Sequence, residues 1–308
     1  MAPTGESGAS QTDDTHDDRT VRGEGHYIEI ADTRLFVEER GRGYPLVVLH
    51  GAPGVIDHRF FGNYLDPLCD HYRLILVDAR GQGQSAAAAE STWRFEQFVQ
   101  DVSALASAMK LGRYAVLGHS YGAFVALQHA ISFPGDAAQT IVSNGAPSTR
   151  FLWEHVERTL RELRPVELRD QITESWEREK SAQTQEDVAR LLHDQLPFHF
   201  ADPHDPRIPE FEKIAAPTSY APAMLRHFAN QAYGGFDAEA GLSSIKQPVL
   251  VLAGRHDRTC SVEAAETIAR GVPKSELVIF ERSGHLPFVE EQELYLEAVR
   301  NFLDRSSS

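Results

Sequence analysis

The sequence predicts an α/β fold: a mostly parallel, doubly wound sheet with a helical segment inserted between two of its strands. Three observations lead there. Short, uninterrupted apolar runs recur along the chain, among them PLVVL, YRLILV, YAVL and VLVLAG. Between them lie stretches with apolar residues at helical spacing, such as Phe95, Phe98, Val99, Val102, Leu105, Ala106 and Met109 in FEQFVQDVSALASAMKLG. From about Ser148 to Phe236, by contrast, no buried-strand pattern occurs. A strand that is apolar throughout, not only at every second residue, is covered on both faces. That is the environment of a parallel sheet with helices on each side.

Taken in order, residues 1–23 contain no apolar segment, and up to Glu24 the chain carries six acids against two arginines. Such a composition buries too little apolar surface to order itself, so a disordered acidic tail is expected. It is not read as a secretory signal, which needs an apolar centre. The first part of the fold is expected over 24–147. It opens with HYIEIADTRLFVEERG, read as a hairpin turning near Asp32 and Thr33. PLVVLHG, YRLILVDARG, YAVLGHS and AQTIVSNGAP follow as strands; FEQFVQDVSALASAMKLG, stopping near Gly112, and YGAFVALQHAISFP are the helices. The inserted segment is 148–236. RFLWEHVERTLREL, LRDQITESWEREKSAQ and TQEDVARLLHDQLPFHF read as helices, the last opened by a capping box between Thr184 and Asp187. The proline-rich ADPHDPRIPEF and AAPTSYAP read as connections. The second part of the fold, 237–304, comprises the strands QPVLVLAGRHD and SELVIFERSGH, a helix near SVEAAETIARGV between them, and the closing helix EQELYLEAVRNFLDR.

Composition narrows the partners. The formal net charge is -15 and no basic cluster occurs, which argues against nucleic acid and anionic membrane surfaces. No apolar run approaches the roughly 20 residues of a membrane helix. Cys69 and Cys260 match no metal or redox spacing and read as free thiols. A cytoplasmic protein with a small-molecule or short-peptide partner is expected, with no metal, nucleic acid or membrane. The oligomeric state stays open.

The chemistry gathers at GHSYG, Gly118–Gly122, where an expected strand meets an expected helix. A Gly-x-Ser-x-Gly turn at such a joint places the serine on a sharp bend with its hydroxyl exposed, and small neighbours let the two backbones approach. The helix N-terminus adds amide donors where negative charge would develop. The plainer reading, an ordinary turn or N-cap serine, weakens once both flanks are in place. A serine hydroxyl is a weak nucleophile and needs a base held by a third group. In a sheet built this way the order is serine, acid, histidine, the last two just past strand ends. Asp257 follows VLVLAG and His285 follows LVIF, so Ser120, Asp257 and His285 are the candidate catalytic residues. Asp78 also follows a strand, but it precedes the serine and is assigned to holding the turn DARGQGQS together with Arg80. Asn144 ends another strand, and an amide cannot stabilise an imidazolium as a charge does. His119 is read as buried support and His256 as a bystander. Two backbone donors are expected for an oxyanion: the N–H of Tyr121 and, from HGAPG, that of Ala52, because Pro53 has none.

In this order HGAPG, DARGQGQS, GHSYG, GRHD and SGH resemble the α/β-hydrolase superfamily, from about His26 to Leu303. The resemblance implies an α/β-hydrolase fold with 148–236 as its helical lid. It also implies a Ser-Asp-His triad working through an acyl-enzyme without a cofactor. HGAPG followed by DARGQGQS is similar to the proline iminopeptidase branch, whose members remove N-terminal residues from peptides. That branch usually has two glycines before its proline and Gly-Gly-Ser-Trp-Gly at the elbow; this chain has Gly51-Ala52 and Gly118-His119-Ser120-Tyr121-Gly122. The implied function is hydrolysis of an ester or amide of a small substrate, of iminopeptidase type. A carboxylesterase or lactonase is the alternative, and a non-catalytic small-molecule receptor is the alternative of another class. In the lid, Trp153, Phe198, Phe200 and Tyr220, with Trp176, are the candidate substrate-binding residues; the plainer reading is that they pack the lid on itself. An aminopeptidase needs lid carboxylates facing the substrate amine. Glu174, Glu177, Glu186 and Glu210 read as a solvated face, and none is assigned.

Overall fold

The computed structural model describes residue 23 and residues 25–305. The expected acidic tail lies outside the described residues except for Gly23, whose N–H donates to Glu39 O at 2.8 Å. β1 (His26–Ile30) and β2 (Thr33–Gly41) form the opening hairpin, with Ile30 opposite Thr33, so that Ala31 and Asp32 make the turn. β3 (Tyr44–Leu49), β4 (Tyr72–Val77), β5 (Ala115–His119), β6 (Gln139–Ser143), β7 (Val249–Gly254) and β8 (Ser275–Phe280) complete one eight-stranded sheet. Its order is β1-β2-β4-β3-β5-β6-β7-β8. β2 runs against both of its neighbours, and every pairing from β4 to β8 is parallel.

The uninterrupted apolar runs have the expected cause. Along β3, Leu46 and Val48 enter one core and Val47 the other, and along β7 Leu250 and Leu252 oppose Val249 and Val251. Successive strand residues point to opposite faces, so two buried faces leave no polar position. One core is closed by α1 (Phe95–Ala108), α2 (Tyr121–Ser132) and α8 (Val262–Gly271). The other is closed by α9 (Pro287–Glu290) and α10 (Gln292–Asp304). α2 and α8 each connect neighbouring parallel strands, whereas α1 carries the chain from β4 past β3 to β5.

Between β6 and β7 lie α3 (Thr149–Glu162), α4 (Val166–Glu179), α5 (Gln185–His199), α6 (Ile208–Ala215) and α7 (Pro222–Ala229). A bridge between Ser148 and Asp237 ties the two ends of this insertion together. α5 opens with the capping box of Thr184 and Asp187. α6 and α7 correct the reading of ADPHDPRIPEF and AAPTSYAP as connections. Pro209 and Pro222 stand in the first turn of each helix, where a missing N–H breaks no helical bond. Among the described residues, no helix is long and apolar enough to cross a membrane.

Candidate active site

The site is built at the C-terminal edge of the parallel strands. Ser120 sits between β5 and α2 with φ 57° and ψ -121°, a left-handed region that non-glycine residues rarely occupy. Crowding makes that bend necessary. A Cβ at Gly118 would lie 2.0 Å from Gly122 O, and one at Gly51 would lie 2.7 Å from Ser120 Cβ. Strand, helix and the loop after β3 therefore converge on the serine with no space for side chains. That loop is held from two directions: Gly54 N donates to Gln82 Oε1 at 2.7 Å, and Gly54 O accepts from Ala221 N at 2.9 Å. Ala52, at φ 37°, sits in this loop and lines the same cavity as Ser120 and Tyr121. The amide of Tyr121, first in α2, has no partner within its helix.

Asp257 and His285 meet as their sequence positions led us to expect. His285 Nδ1 lies 2.7 Å from Asp257 Oδ2, and both residues are buried. Asp257 Oδ1 accepts from the amides of Thr259 and Cys260 and from Thr259 Oγ1. Burial pushes the Asp257 carboxyl up, but the His285 imidazole and these hydrogen bonds outweigh it and hold it well below the usual carboxylate range. His285 is flanked by two more imidazoles. The His119 ring centroid is 4.9 Å away and that of His199, at the end of α5, is 5.1 Å away. Burial and the neighbouring His285 push His119 well below the ordinary histidine range and His199 down to about 3. Both are held neutral beside His285.

A cavity of about 130 Å³ lies over this set, lined by Ser120, His285, Ala52 and Tyr121. The insertion supplies much of its wall. Trp153 and Trp176 line it as expected, whereas Phe198, Phe200 and Tyr220 do not. Phe198 is fully buried with Leu163 and Ile172, and Phe200 packs edge-on against Phe211. Tyr220 is tied through its backbone to the Gln185 side chain. Of LPFHF, Leu196 and His199 line the cavity, His199 from between the two phenylalanines.

Glu179, at the end of α4, also lines the cavity and was not singled out from the sequence. Its exposure is 5%, whereas Glu174, Glu177, Glu186 and Glu210 are exposed as expected. Gln195 Nε2 donates to its Oε1 at 2.8 Å and Tyr233 OH to its Oε2 at 2.6 Å. Burial pushes its carboxyl up to about 6, against these two hydrogen bonds.

Asp78 holds its Gly-rich turn through Gln84 N, at 2.7 Å, but its other partner is His58 and not Arg80. Arg80 instead forks onto Asp101 and onto Asp32 in the hairpin turn. His256 is exposed, and Cys69 and Cys260 are free and buried. Among the described residues, two buried groups bring possible metal donors together, Asp257 with Cys260 and His285, and Asp57 with His58 and Asp78. In both, donors are already engaged. His285 and His58 bond their carboxylates, Asp57 pairs with Arg59, and burial pushes the Cys260 thiol well above its ordinary range.

A family model described as the alpha/beta hydrolase fold matches residues 44–292. The chain belongs to the α/β-hydrolase family. This α/β hydrolase is similar to a proline iminopeptidase of Heyndrickxia coagulans, 28% identical over 294 residues that cover 90% of this chain and 98% of the relative. Among solved structures it is similar to a proline iminopeptidase of Mycobacterium smegmatis, with TM-score 0.73 and 22% identity over 92% of this chain and 98% of the other. It is also similar to an esterase of Exiguobacterium antarcticum, with TM-score 0.72 and 24% identity over 92% of this chain and 100% of the other. At these identities the two structural likenesses speak to the fold.

Proposed function

We propose that the protein is a serine hydrolase that releases an N-terminal residue from a small amide or short peptide, as the names of its proline iminopeptidase relatives suggest. The observation that carries this reading is Glu179. It is a buried carboxylate on the wall of the cavity that holds Ser120 and His285. Its hydrogen-bond partners, Tyr233 and Gln195, are neutral. Among the described residues no lysine or arginine forms an ion pair with it, and the adjacent Lys180 turns to Glu177. A buried carboxylate without a counter-charge is costly. A substrate ammonium would supply that charge, and the apolar wall suits a small apolar residue attached to it.

In this reading the amine docks on Glu179 and its carbonyl reaches Ser120. Ser120 Oγ attacks the carbonyl while His285 Nε2 takes its proton, and Asp257 stabilises the imidazolium. The N–H groups of Ala52 and Tyr121 receive the oxyanion. His285 then protonates the departing amine and afterwards activates the water that cleaves the acyl-enzyme. The inserted helices act as a lid over the reacting bond.

The experiment compares proline β-naphthylamide, its N-acetylated form and p-nitrophenyl acetate. The free amine is expected to exceed the blocked form by about 100-fold in kcat/KM, the worth of a buried charge-assisted contact. Equal cleavage of both forms would replace this reading with a carboxylesterase or lactonase. Binding of small ligands without turnover of any of the three would leave a receptor.

A further inference from the structure

Thr259 stands two residues past Asp257 in the turn that leaves β7, and it lines the cavity. Its hydroxyl meets both members of the buried pair. Oγ1 is 2.7 Å from Asp257 Oδ1 and 2.9 Å from His285 Nδ1. Counting protons leaves one arrangement. Asp257 is ionised, and an ionised carboxylate only accepts. The single hydroxyl proton therefore goes to Asp257 Oδ1. Toward His285, Oγ1 then offers a lone pair, so Nδ1 has to donate. Asp257 Oδ2 makes the same demand of Nδ1. Nδ1 thus carries the proton and Nε2 the lone pair. One acceptor alone lets an imidazole pivot about its hydrogen bond, whereas two acceptors in different directions set the ring plane as well. His119 and His199 offer the His285 side chain only their rings.

We propose that Thr259 is a positioning residue for hydrolysis: by donating to Asp257 and accepting from His285, its hydroxyl fixes the imidazole tautomer and plane that leave Nε2 free to take the Ser120 proton. This rests on the roles of Ser120 and His285 proposed above. Thr259→Val removes the hydroxyl and keeps the shape; Thr259→Ser keeps the hydroxyl. On p-nitrophenyl acetate the Val variant is expected to lose about 10- to 100-fold in kcat, the range of a charge-assisted hydrogen bond, and the Ser variant about threefold or less. The histidine limb of the kcat/KM pH profile should move in the Val variant alone. Nitrogen NMR of the wild-type His285 ring, assigned against His285→Gln, should show Nδ1 protonated and Nε2 bare. Wild-type kcat and pH limb in the Val variant, equal losses in Val and Ser, or a wild-type ring protonated at Nε2 would each overturn the proposal. If the Val variant does not fold, the wild-type spectrum alone decides. Ser120→Ala separates the parent reading: full ester turnover by that variant would remove the serine mechanism whatever Thr259 does.

Discussion

Asn144 Nδ2 donates to Asp257 Oδ2 at 2.9 Å, joining the end of β6 to the turn after β7. Asn144 has φ 50°, a conformation that asparagine accepts more readily than most residues, and it also donates to Gly284 O in the His285 loop at 3.3 Å. Its amide cannot take the place of the acid; it orients the acid. With Asn144, the Asp257 carboxylate holds five hydrogen bonds, which fix the oxygen that faces His285.

That arrangement separates the two aspartates that end strands. Asp257→Asn is expected to fold and to lose about 10³- to 10⁴-fold in kcat, because an amide can hold the wrong tautomer of His285 beside Ser120. Asp78→Asn lies in a different network and should lower stability by about 1–3 kcal/mol, the cost of a broken buried charge-assisted bond. Ester kcat and the urea midpoint of both variants check this. Loss of turnover at unchanged stability in Asp78→Asn, with normal turnover in Asp257→Asn, would reverse the assignment.

Ser120→Ala should leave the urea midpoint near that of the wild type and lower turnover by about 10⁴- to 10⁶-fold. A purified sample that retains a tenth of wild-type activity would place the nucleophile elsewhere.

The sheet and the converging loops were legible because their signals are local. Two glycines around a serine, or a histidine just past an apolar run, encode their own geometry. The inserted wall was not legible in the same way. Glu179 looks like Glu174 and Glu177 on the same helix; its burial depends on Tyr233, 54 residues further on. Tyr233 lies in the run Ala232–Gly235, where all four residues have positive φ, and no periodicity announces such a turn. In LPFHF, aromatic content directed attention to Phe198 and Phe200. Which of three neighbouring rings faces the cavity is decided by what packs behind them, here Leu163 and Ile172 on one side and Phe211 on the other.

Phe198 and Trp153 should therefore respond differently to truncation. Phe198→Ala opens a hole in a fully buried cluster and is expected to cost about 3–5 kcal/mol, read as a fall in urea midpoint. Trp153→Ala removes part of the cavity wall and should raise KM for amide substrates about tenfold, the worth of an aromatic face. An unchanged KM in Trp153→Ala would take that residue out of the binding surface.

Under the proposed function, Glu179 should make turnover of an amine-bearing substrate pH-sensitive in a way that turnover of a neutral ester is not. Its carboxyl titrates near 6, and only the ionised form pairs with an ammonium. The ratio of kcat/KM for proline β-naphthylamide to that for p-nitrophenyl acetate cancels whatever the two reactions share. That ratio should be level from about pH 7 up to the pH at which the substrate amine loses its own proton, and below pH 6 it should fall about tenfold per unit. In Glu179→Gln it should be low and independent of pH. A wild-type ratio that stays constant from pH 5 to 8 would count against the amine site.

A second buried charge network, centred on His58, links pH to stability. His58 Nδ1 lies 2.7 Å from Asp78 Oδ1 and its Nε2 lies 3.3 Å from Glu38 Oε2, with the His58 ring 1% exposed. Arg40 pairs with Glu38 and Asp66, and Asp57 and Arg59 pair beside them. Burial alone would pull the imidazole down, but Asp78 and Glu38 raise it to about 9. A histidine raised in the folded state contributes stability that is complete below its unfolded value, about 6.5, and is lost as pH rises through 9. The contribution is on the order of 3 kcal/mol at most, given the raised value and the linkage relation. The same contacts hold Glu38 down to about 2, so the two shifts describe one network and are not added. Urea midpoints from pH 6 to pH 10 should fall in the wild type, with most of the loss between pH 7 and 9.5. His58→Gln should be less stable at pH 6 and should show a much flatter curve, so that the two proteins converge at high pH. Parallel curves for the two proteins would show that His58 is not the group responsible.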